Sequence, residues 1–329
     1  MNTRRKLIAG LAAGGILFPV RAVAQTTTRV FRVAYLSPGA SNSPAAIYFD
    51  VLKNRLRELG HAEGTAVVFD SRWAESNTSR LPALAAELAA LKPDVMVATA
   101  TLAIRAAQQA TASIPIVMAP GTDPVGSGFV KSLARPGGNI TGVANLSIDT
   151  SAKIVELLHA LVPKARRFGI LTMPRNPTHA THLEAAMTAI KAFGLTGIPA
   201  RAASGDEIDA ALLTLAKEKC EALVVFNEPL FSVERQRLAN LAAKYRLPAI
   251  YQSSGNVDAG GLISYGANVD EMFRMAATYV DKLLRGAKPE NLPVEQPTRL
   301  ELVVNAKVAQ ALGLKIPQSI LLQATRTIE

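Results

Sequence analysis

Cysteine and aromatic residues are both scarce in this chain of 329 residues. Cys220 is the only cysteine, so no internal disulfide can form and the fold must be held together by its own core. No histidine lies near Cys220 in sequence and an apolar run follows it, which favours a packing role over a nucleophilic one. Aromatic residues make up only 5% of the chain. This fraction disfavours a sugar-binding protein, because sugars are commonly held by stacking on aromatic rings.

Motifs for hydrolytic, nucleotide-dependent and metal-dependent chemistry are also missing. The sequence has no Gly-x-Ser-x-Gly nucleophile elbow and no Walker loop. His179 and His182 are three residues apart near the start of an expected helix, but no matching set of cysteines or carboxylates completes a metal site nearby. We expect these histidines to be solvated. The prediction is a protein that is not an enzyme and has no catalytic residue, metal ion or cofactor.

Charge and hydropathy exclude two further classes of partner. The formal net charge is +10, but the basic residues do not cluster with aromatic ones. A nucleic-acid partner is therefore not expected. Beyond the N-terminus, no apolar run reaches membrane-spanning length without a charge or a proline. The apolar fraction of 49% is instead typical of a globular protein with a large core.

The N-terminus, MNTRRKLIAGLAAGGILFPVRAVAQ, has the pattern of an export signal. Three basic residues at 4–6 precede a short apolar stretch, and the AVA sequence at 22–24 is typical of signal peptidase cleavage sites. Glycines and a proline within the stretch disfavour the alternative, a packed N-terminal helix. We predict a cleavable signal peptide over residues 1–24 and a periplasmic location. Because TRR at 3–5 loosely resembles a twin-arginine signal, the choice between Sec and Tat export stays open.

After the leader, strand and helix patterns alternate along the chain. Buried-type strands such as FRVAYL (31–36) and DVMVA (94–98) are separated by helical segments. A turn cluster, PGGN, precedes a second series that begins with RFGIL (167–171). Such alternation requires parallel sheets covered by helices on both faces. The predicted fold class is α/β with two similar halves, between which the C-terminal tail crosses back to form a hinge.

Polar residues follow several of the predicted strands. In open parallel sheets, ligands bind beyond the carboxyl ends of the strands. The helix starts near Thr99 and Asp123 would also offer free backbone N–H groups to a carboxylate. For Asp123, which precedes a proline, the alternative is a helix cap. The candidate ligand-binding residues are Ser37, Thr99, Ala100, Thr101, Asp123, Asn176, Asn227 and Tyr265.

Long segments of the chain resemble ABC-transporter substrate-binding proteins of the tryptophan/tyrosine-binding-like type. They include RLPALAAELAALKPDVMVATAT, IPIVMAPGTDPVGSGFVKSLARPGGNITGV and LPVEQPTRLELVVNAKVAQALGLKIPQSIL. The resemblance implies a type I periplasmic binding protein fold, with two Rossmann-like lobes joined by a three-stranded hinge. We expect one lobe to contain residues 28–145 and 261–290, and the other residues 146–260 and 291–329.

The resemblance also implies a function. Such a protein captures a small amino-acid-like ligand, or a related carboxylate, by hinge closure and delivers it to an ABC permease. The polar groups implied as ligand contacts are Ser37, Thr99, Thr101, Asp123, Asn176 and Asn227, with Tyr265 near the hinge. We expect a monomer. Two alternatives stay open: an exported α/β hydrolase or transferase, and a binding protein that feeds a sensor.

Overall fold

The computed structural model describes residues 29–43 and 46–329. The predicted signal peptide lies outside these residues. Two β-sheets form two lobes, with strand orders β2-β1-β3-β4-β5 and β12-β11-β10-β9-β8-β6-β7. Helices pack on both faces of each sheet. The predicted two-lobe α/β architecture is therefore confirmed.

The first lobe is built from regularly alternating strands and helices, and its strands pair in parallel. Its elements are β1 (Phe31–Ser37), α1 (Ile47–Glu58), β2 (Val67–Trp73), α2 (Leu81–Ala90), β3 (Val95–Ala98), α3 (Ala100–Ala110), β4 (Ile116–Gly121), β5 (Ile140–Ala144) and, later in the chain, α10 (Val269–Leu284).

Alternation along β1 explains why this sheet is covered on both faces. Ala34 and Leu36 pack in the cluster that contains α2 and α3. Val33 and Tyr35 point to the opposite face, where they pack with α1 and α10. Because both faces are buried, the central residues 33–36 of the strand are consecutive buried residues without a charged side chain among them.

The second lobe contains the remaining elements. They are α4 (Ser151–Leu161), β6 (Arg167–Thr172), α5 (Thr178–Ala192), β7 (Thr196–Arg201), α6 (Gly205–Lys217), β8 (Ala222–Val225), α7 (Pro229–Val233), α8 (Arg235–Lys244), β9 (Ala249–Tyr251), α9 (Ser254–Asp258), β10 (Ile263–Ala267), β11 (Leu300–Asn305), α11 (Ala306–Ala311), α12 (Gln318–Gln323) and β12 (Arg326–Ile328).

The chain crosses between the lobes three times. The crossings are residues 145–150 after β5, Asn268 after β10, and residues 285–299 between α10 and β11. The third crossing lies along the first sheet, since Glu295 forms a parallel bridge with Val143 of β5. The predicted return of the tail between the two halves is confirmed, and the three crossings form the connection expected of a hinge.

The expected lobe boundaries need a correction at β10. Residues 261–290 are expected in the first lobe, but β10 pairs with β9 and β11 of the second sheet. There the backbone N–H and C=O groups of β10 have partners on both sides, and the chain crosses only afterwards, at Asn268. At this edge the sheet departs from parallel pairing, because β11 runs antiparallel to β10. β11 enters the sheet from the first lobe at the edge where β10 leaves it.

None of the helices in the described residues combines the length and the apolar character that a membrane crossing requires.

Cys220 is buried in the core of the second lobe, among Leu215, Leu223 and Leu241. Burial raises the pKa of its thiol to about 11. The sulfur is therefore a packed thiol, as expected from the sequence.

The burial of Cys220 predicts that its thiol reacts slowly with thiol reagents. At pH 8, Ellman's reagent should modify the native protein at least about a hundredfold more slowly than the urea-unfolded protein, because a buried thiol forms little thiolate. The measurement is the rate of thionitrobenzoate release in both states. Equal rates in the native and unfolded protein would contradict the placement of this side chain.

Candidate functional site

A cavity lies between the lobes, where the carboxyl ends of strands from both sheets face each other. Its empty volume is about 780 Å³, counted with the part that is open to solvent. No Asp, Glu, Lys, Arg or His is among the described residues that line the cavity. Its walls therefore combine hydroxyl, amide and apolar groups.

The structure brings most of the predicted site residues together at this cavity. Ser37 at the end of β1 and residues 99–101 after β3 line it from the first lobe. Asn176 after β6 and Asn227 after β8 line it from the second lobe. The rule that parallel strands present their carboxyl ends at one edge therefore placed these residues correctly relative to one another.

Asp123 is not part of this cavity. Its carboxylate accepts a hydrogen bond from Gly126 N at 2.9 Å and closes a turn, and the residue lines a separate crevice that also contains Asp149. The predicted helix start is wrong, because residues 122–129 form turns instead of a helix. This hydrogen bond fixes the carboxylate within its own turn, outside the cavity that Thr101 and Asn176 line.

Tyr265 also lies outside the cavity. It belongs to β10, and its side chain packs against the core of the second lobe together with Leu302. Since alternate side chains of a strand point to opposite faces, the neighbouring Ser264 faces the other way. The expectation that Tyr265 joins the other candidate residues is therefore not met in this structure.

The start of α3 is the most unusual feature of the cavity wall. Ala100 has a φ of 61°, in the left-handed region that residues with a Cβ rarely adopt. Thr99 occupies the N-cap position but makes no capping hydrogen bond. Thr101 is 2% exposed, and its Oγ1 has no hydrogen-bond partner among the described residues. Backbone N–H groups at the first turn of a helix need acceptors, so this wall offers unused hydrogen-bond donors.

Hydroxyl groups continue this polar wall within the first lobe. Tyr35 is buried beside Ser37 and Thr99, and burial raises its pKa, while hydrogen bonds with those two side chains partly oppose the rise. Ser37 Oγ in turn accepts a hydrogen bond from Gly39 N at 3.2 Å. The three hydroxyls are thus fixed relative to the start of α3.

An aromatic pair forms another wall of the cavity. The rings of Tyr48 and Phe273 stack with their centroids 5.3 Å apart and an interplanar angle of 20°. Met272 and Val269 add apolar surface beside them. Burial raises the pKa of Tyr48. Sequence reasoning missed these residues because they lie on α1 and α10, and strand-end positions carry no information about which helix residues face the cavity.

The second-lobe wall rests on a buried polar cluster. Asn176 Oδ1 accepts hydrogen bonds from Thr178 N (3.1 Å) and Thr178 Oγ1 (2.8 Å), and its Nδ2 donates to Glu228 Oε2 at 2.8 Å. His179 and His182 are both buried beneath this wall, so the expectation that they are solvated is wrong. Burial lowers the pKa of His182 to about 3.

A second chain of hydrogen bonds connects the cavity with the first crossing segment. Gln252 Oε1 accepts from Asn227 N at 2.9 Å, and its Nε2 donates to Thr150 Oγ1 at 3.0 Å. At the other end of the segment, Asn145 donates to Thr122 Oγ1 at 2.9 Å. Asn145, Asn227 and Thr122 all line the cavity. The walls of both lobes are therefore linked through residues 145–150.

The described residues show no arrangement for metal binding. Within 29–43 and 46–329, no three or more His, Cys, Asp or Glu side chains are grouped so that they could hold a metal ion. The cavity walls are suited to hydrogen bonding and apolar contact with an organic molecule.

Comparisons with known proteins find similar sequences over most of the chain. A family model described as ABC transporter substrate binding protein matches residues 44–328. The tyrosine-binding protein of Clostridioides difficile (strain R20291) is 26% identical over 261 residues, which cover 79% of this chain and 74% of that protein.

Solved structures are similar over most of the chain. The ABC domain from Streptococcus pneumoniae in complex with L-Trp has a TM-score of 0.84 and 26% identity. A conserved domain protein from Vibrio cholerae has a TM-score of 0.85 and 27% identity. Each comparison covers 91% of this chain and 100% of the other. These matches confirm the resemblance and the periplasmic binding fold predicted from the sequence.

The unpartnered hydroxyl of Thr101 leads to a prediction about stability without ligand. Thr101→Val should leave the free energy of unfolding unchanged or raise it by up to about 1 kcal/mol, because it removes a buried polar group that has no partner. Urea denaturation of the ligand-free protein measures the effect.

Thr141→Val is the matched control. Thr141 is also buried, but its Oγ1 donates to Leu292 O at 2.7 Å. Its replacement should lower the free energy of unfolding by about 1–3 kcal/mol, because the carbonyl of Leu292 loses its partner. Equal losses in both variants would show that the Thr101 hydroxyl is satisfied in the free protein.

Proposed function

Because the chain belongs to the ABC transporter substrate binding protein family, we propose that it binds an aromatic amino acid between its lobes and delivers it to the permease of an importer. The observation that carries the proposal is the unpartnered start of α3, which lies in the same cavity as the Tyr48–Phe273 pair. Together, these two features would contact the two ends of such a ligand, its carboxylate and its aromatic side chain.

The start of α3 is suited to the ligand's carboxylate. The first N–H groups of a helix carry a partial positive charge and bind anions readily. The free hydroxyl of Thr101 adds a donor, and a partner for it removes the cost of a buried unpaired group. The left-handed φ of Ala100 fits this role, since unusual backbone conformations are concentrated at binding sites.

The opposite end of the ligand is an uncharged, apolar side chain. Tyr48 and Phe273 offer ring faces and edges, and rings pack against each other in offset or edge-to-face arrangements. The absence of charged side chains among the described lining residues disfavours Lys, Arg, Asp and Glu as ligands, because their side-chain charges would be buried unpaired. The names of the similar proteins, one tyrosine-binding and one with bound L-Trp, support the same ligand class.

Delivery requires opening and closing of the lobes. Contacts with both lobes would favour the closed form, and the three crossings would act as the hinge. The predicted signal peptide at residues 1–24 would place the protein in the periplasm, where it would work as a monomer without enzymatic activity. A membrane-bound ABC permease would be the partner.

A ligand panel tests this proposal. L-Trp, L-Tyr and L-Phe should raise the melting temperature of the protein, because a ligand that binds only the folded state stabilises it by mass action. L-Lys, L-Arg, L-Asp and L-Glu should produce no comparable shift. Titration calorimetry gives the affinities of the ligands that do.

Thr101→Val tests whether the ligands of this panel bind at the start of α3. Loss of one hydrogen bond to a charged group should weaken binding of the aromatic amino acids by about tenfold or more. Thr141→Val removes a hydrogen bond to the third crossing and none in the cavity, so it should weaken binding less than Thr101→Val does. The proposal fails when none of the three aromatic amino acids binds, or when amino acids with charged side chains bind equally well.

A further inference from the structure

Glu228 is a buried carboxylate without a cationic side chain beside it in the part of the chain that the structure describes. It is 3% exposed. Its Oε2 accepts a hydrogen bond from Asn176 Nδ2 at 2.8 Å and lies 3.3 Å from His179 Nε2. That second contact is not an aligned hydrogen bond, since Nε2 of His179 has no such partner in the described residues. A buried carboxylate needs an opposite charge or several aligned donors, and this one has a single aligned donor.

The hydrogen-bond pattern around His179 makes this imidazole neutral. Met173 N donates to His179 Nδ1 at 2.9 Å, so Nδ1 carries a lone pair and the ring proton is on Nε2. Protonation of Nδ1 would place two N–H groups face to face. The neighbouring His182 is also neutral, because its pKa is lowered to about 3. The histidines therefore offer Glu228 a dipole but no positive charge.

Asn176 connects this negative charge with the cavity. Both hydrogen bonds from Thr178 hold its Oδ1, which fixes the amide with Nδ2 towards Glu228. The carboxylate is thus one amide group behind a residue that lines the cavity. No Lys, Arg or His among the described lining residues offsets its charge. This side of the cavity is electronegative, and the start of α3 is the electropositive side.

We propose that Glu228 is a specificity-determining residue, which acts through Asn176 to favour a ligand with a protonated amine over the same carboxylate without one. The inference rests on the proposed function, because it concerns the amine of an amino acid bound in the same cavity. With its carboxylate at α3 and its ammonium group towards Asn176, a zwitterion matches both sides of the cavity. The ammonium group of the bound ligand would also supply a positive charge near Glu228, which has no cationic side chain beside it among the described residues.

Titration calorimetry with three ligands tests the proposal. The three ligands share the phenyl ring and the carboxylate. L-Phenylalanine also carries an ammonium group, L-3-phenyllactate carries a hydroxyl group in its place, and 3-phenylpropanoate carries neither group. The wild type should bind phenylalanine at least about tenfold more tightly than either analogue. In Glu228→Gln the affinity for phenylalanine should fall by about tenfold, while that for phenylpropanoate stays the same or rises. Glu228→Asp keeps the charge and should keep most of the preference.

Glu221→Gln is the matched control. Glu221 precedes β8, whereas Glu228 follows it, so the control removes a carboxylate at the opposite edge of the same sheet. Glu221 accepts backbone hydrogen bonds from Arg166 N and Arg167 N, and its replacement should leave the ligand preference unchanged.

The outcomes separate this inference from the proposed function. A wild type that binds none of the aromatic amino acids contradicts the proposed function itself. A wild type that prefers phenylalanine, with the same preference in Glu228→Gln, contradicts only the role of Glu228. Where Glu228→Gln does not fold, the wild type decides: equal affinities for phenylalanine and phenyllactate overturn the proposal, and a tenfold difference supports it.

Discussion

The proposed binding mode depends on the unpaired hydrogen-bond donors at the start of α3. A helix that begins at the edge of a parallel sheet leaves its first N–H groups without partners. Thr99, at the N-cap, does not satisfy them, and the hydroxyl of Thr101 is buried without a partner. Proteins usually pair such groups, because a buried unpaired donor costs about 1–3 kcal/mol. In the proposed binding mode, the ligand's carboxylate would supply the missing acceptor.

The topology decides where this exception lies. Each sheet presents the carboxyl ends of its parallel strands at one edge, and the three crossings set the two edges against each other. The first crossing, residues 145–150, also carries the hydrogen bonds that link Asn145 and Thr122 with Gln252 and Asn227. The polar groups of the two lobes are therefore connected by hydrogen bonds through the segment that joins the lobes.

Local patterns predicted much of this arrangement because its cause is local. Ser37, Thr99, Asn176 and Asn227 each follow a strand directly, and a single rule about parallel sheets places them at the cavity. The same rule failed for Asp123, where a hydrogen bond to Gly126 three residues away determines the side-chain position. At that residue the turn geometry overrides the position at the strand end.

The residues that were not predicted from the sequence take their positions through tertiary packing. Tyr48 and Phe273 are far apart in sequence and meet only because α1 and α10 pack on the same face of the first sheet. Glu228 follows a predicted site residue, but its burial and its contact with Asn176 depend on the packing of α5 against the second sheet. The placement of β10 in the second sheet likewise follows from pairing on both sides, which a short apolar segment does not reveal.

A crystal structure with a bound aromatic amino acid would show which groups hold the ligand's carboxylate. We predict a carboxylate oxygen of the ligand within hydrogen-bond distance of Thr101 Oγ1 and of the first backbone N–H groups of α3. A ligand whose carboxylate lies elsewhere, with the hydroxyl of Thr101 still unpaired, would contradict it.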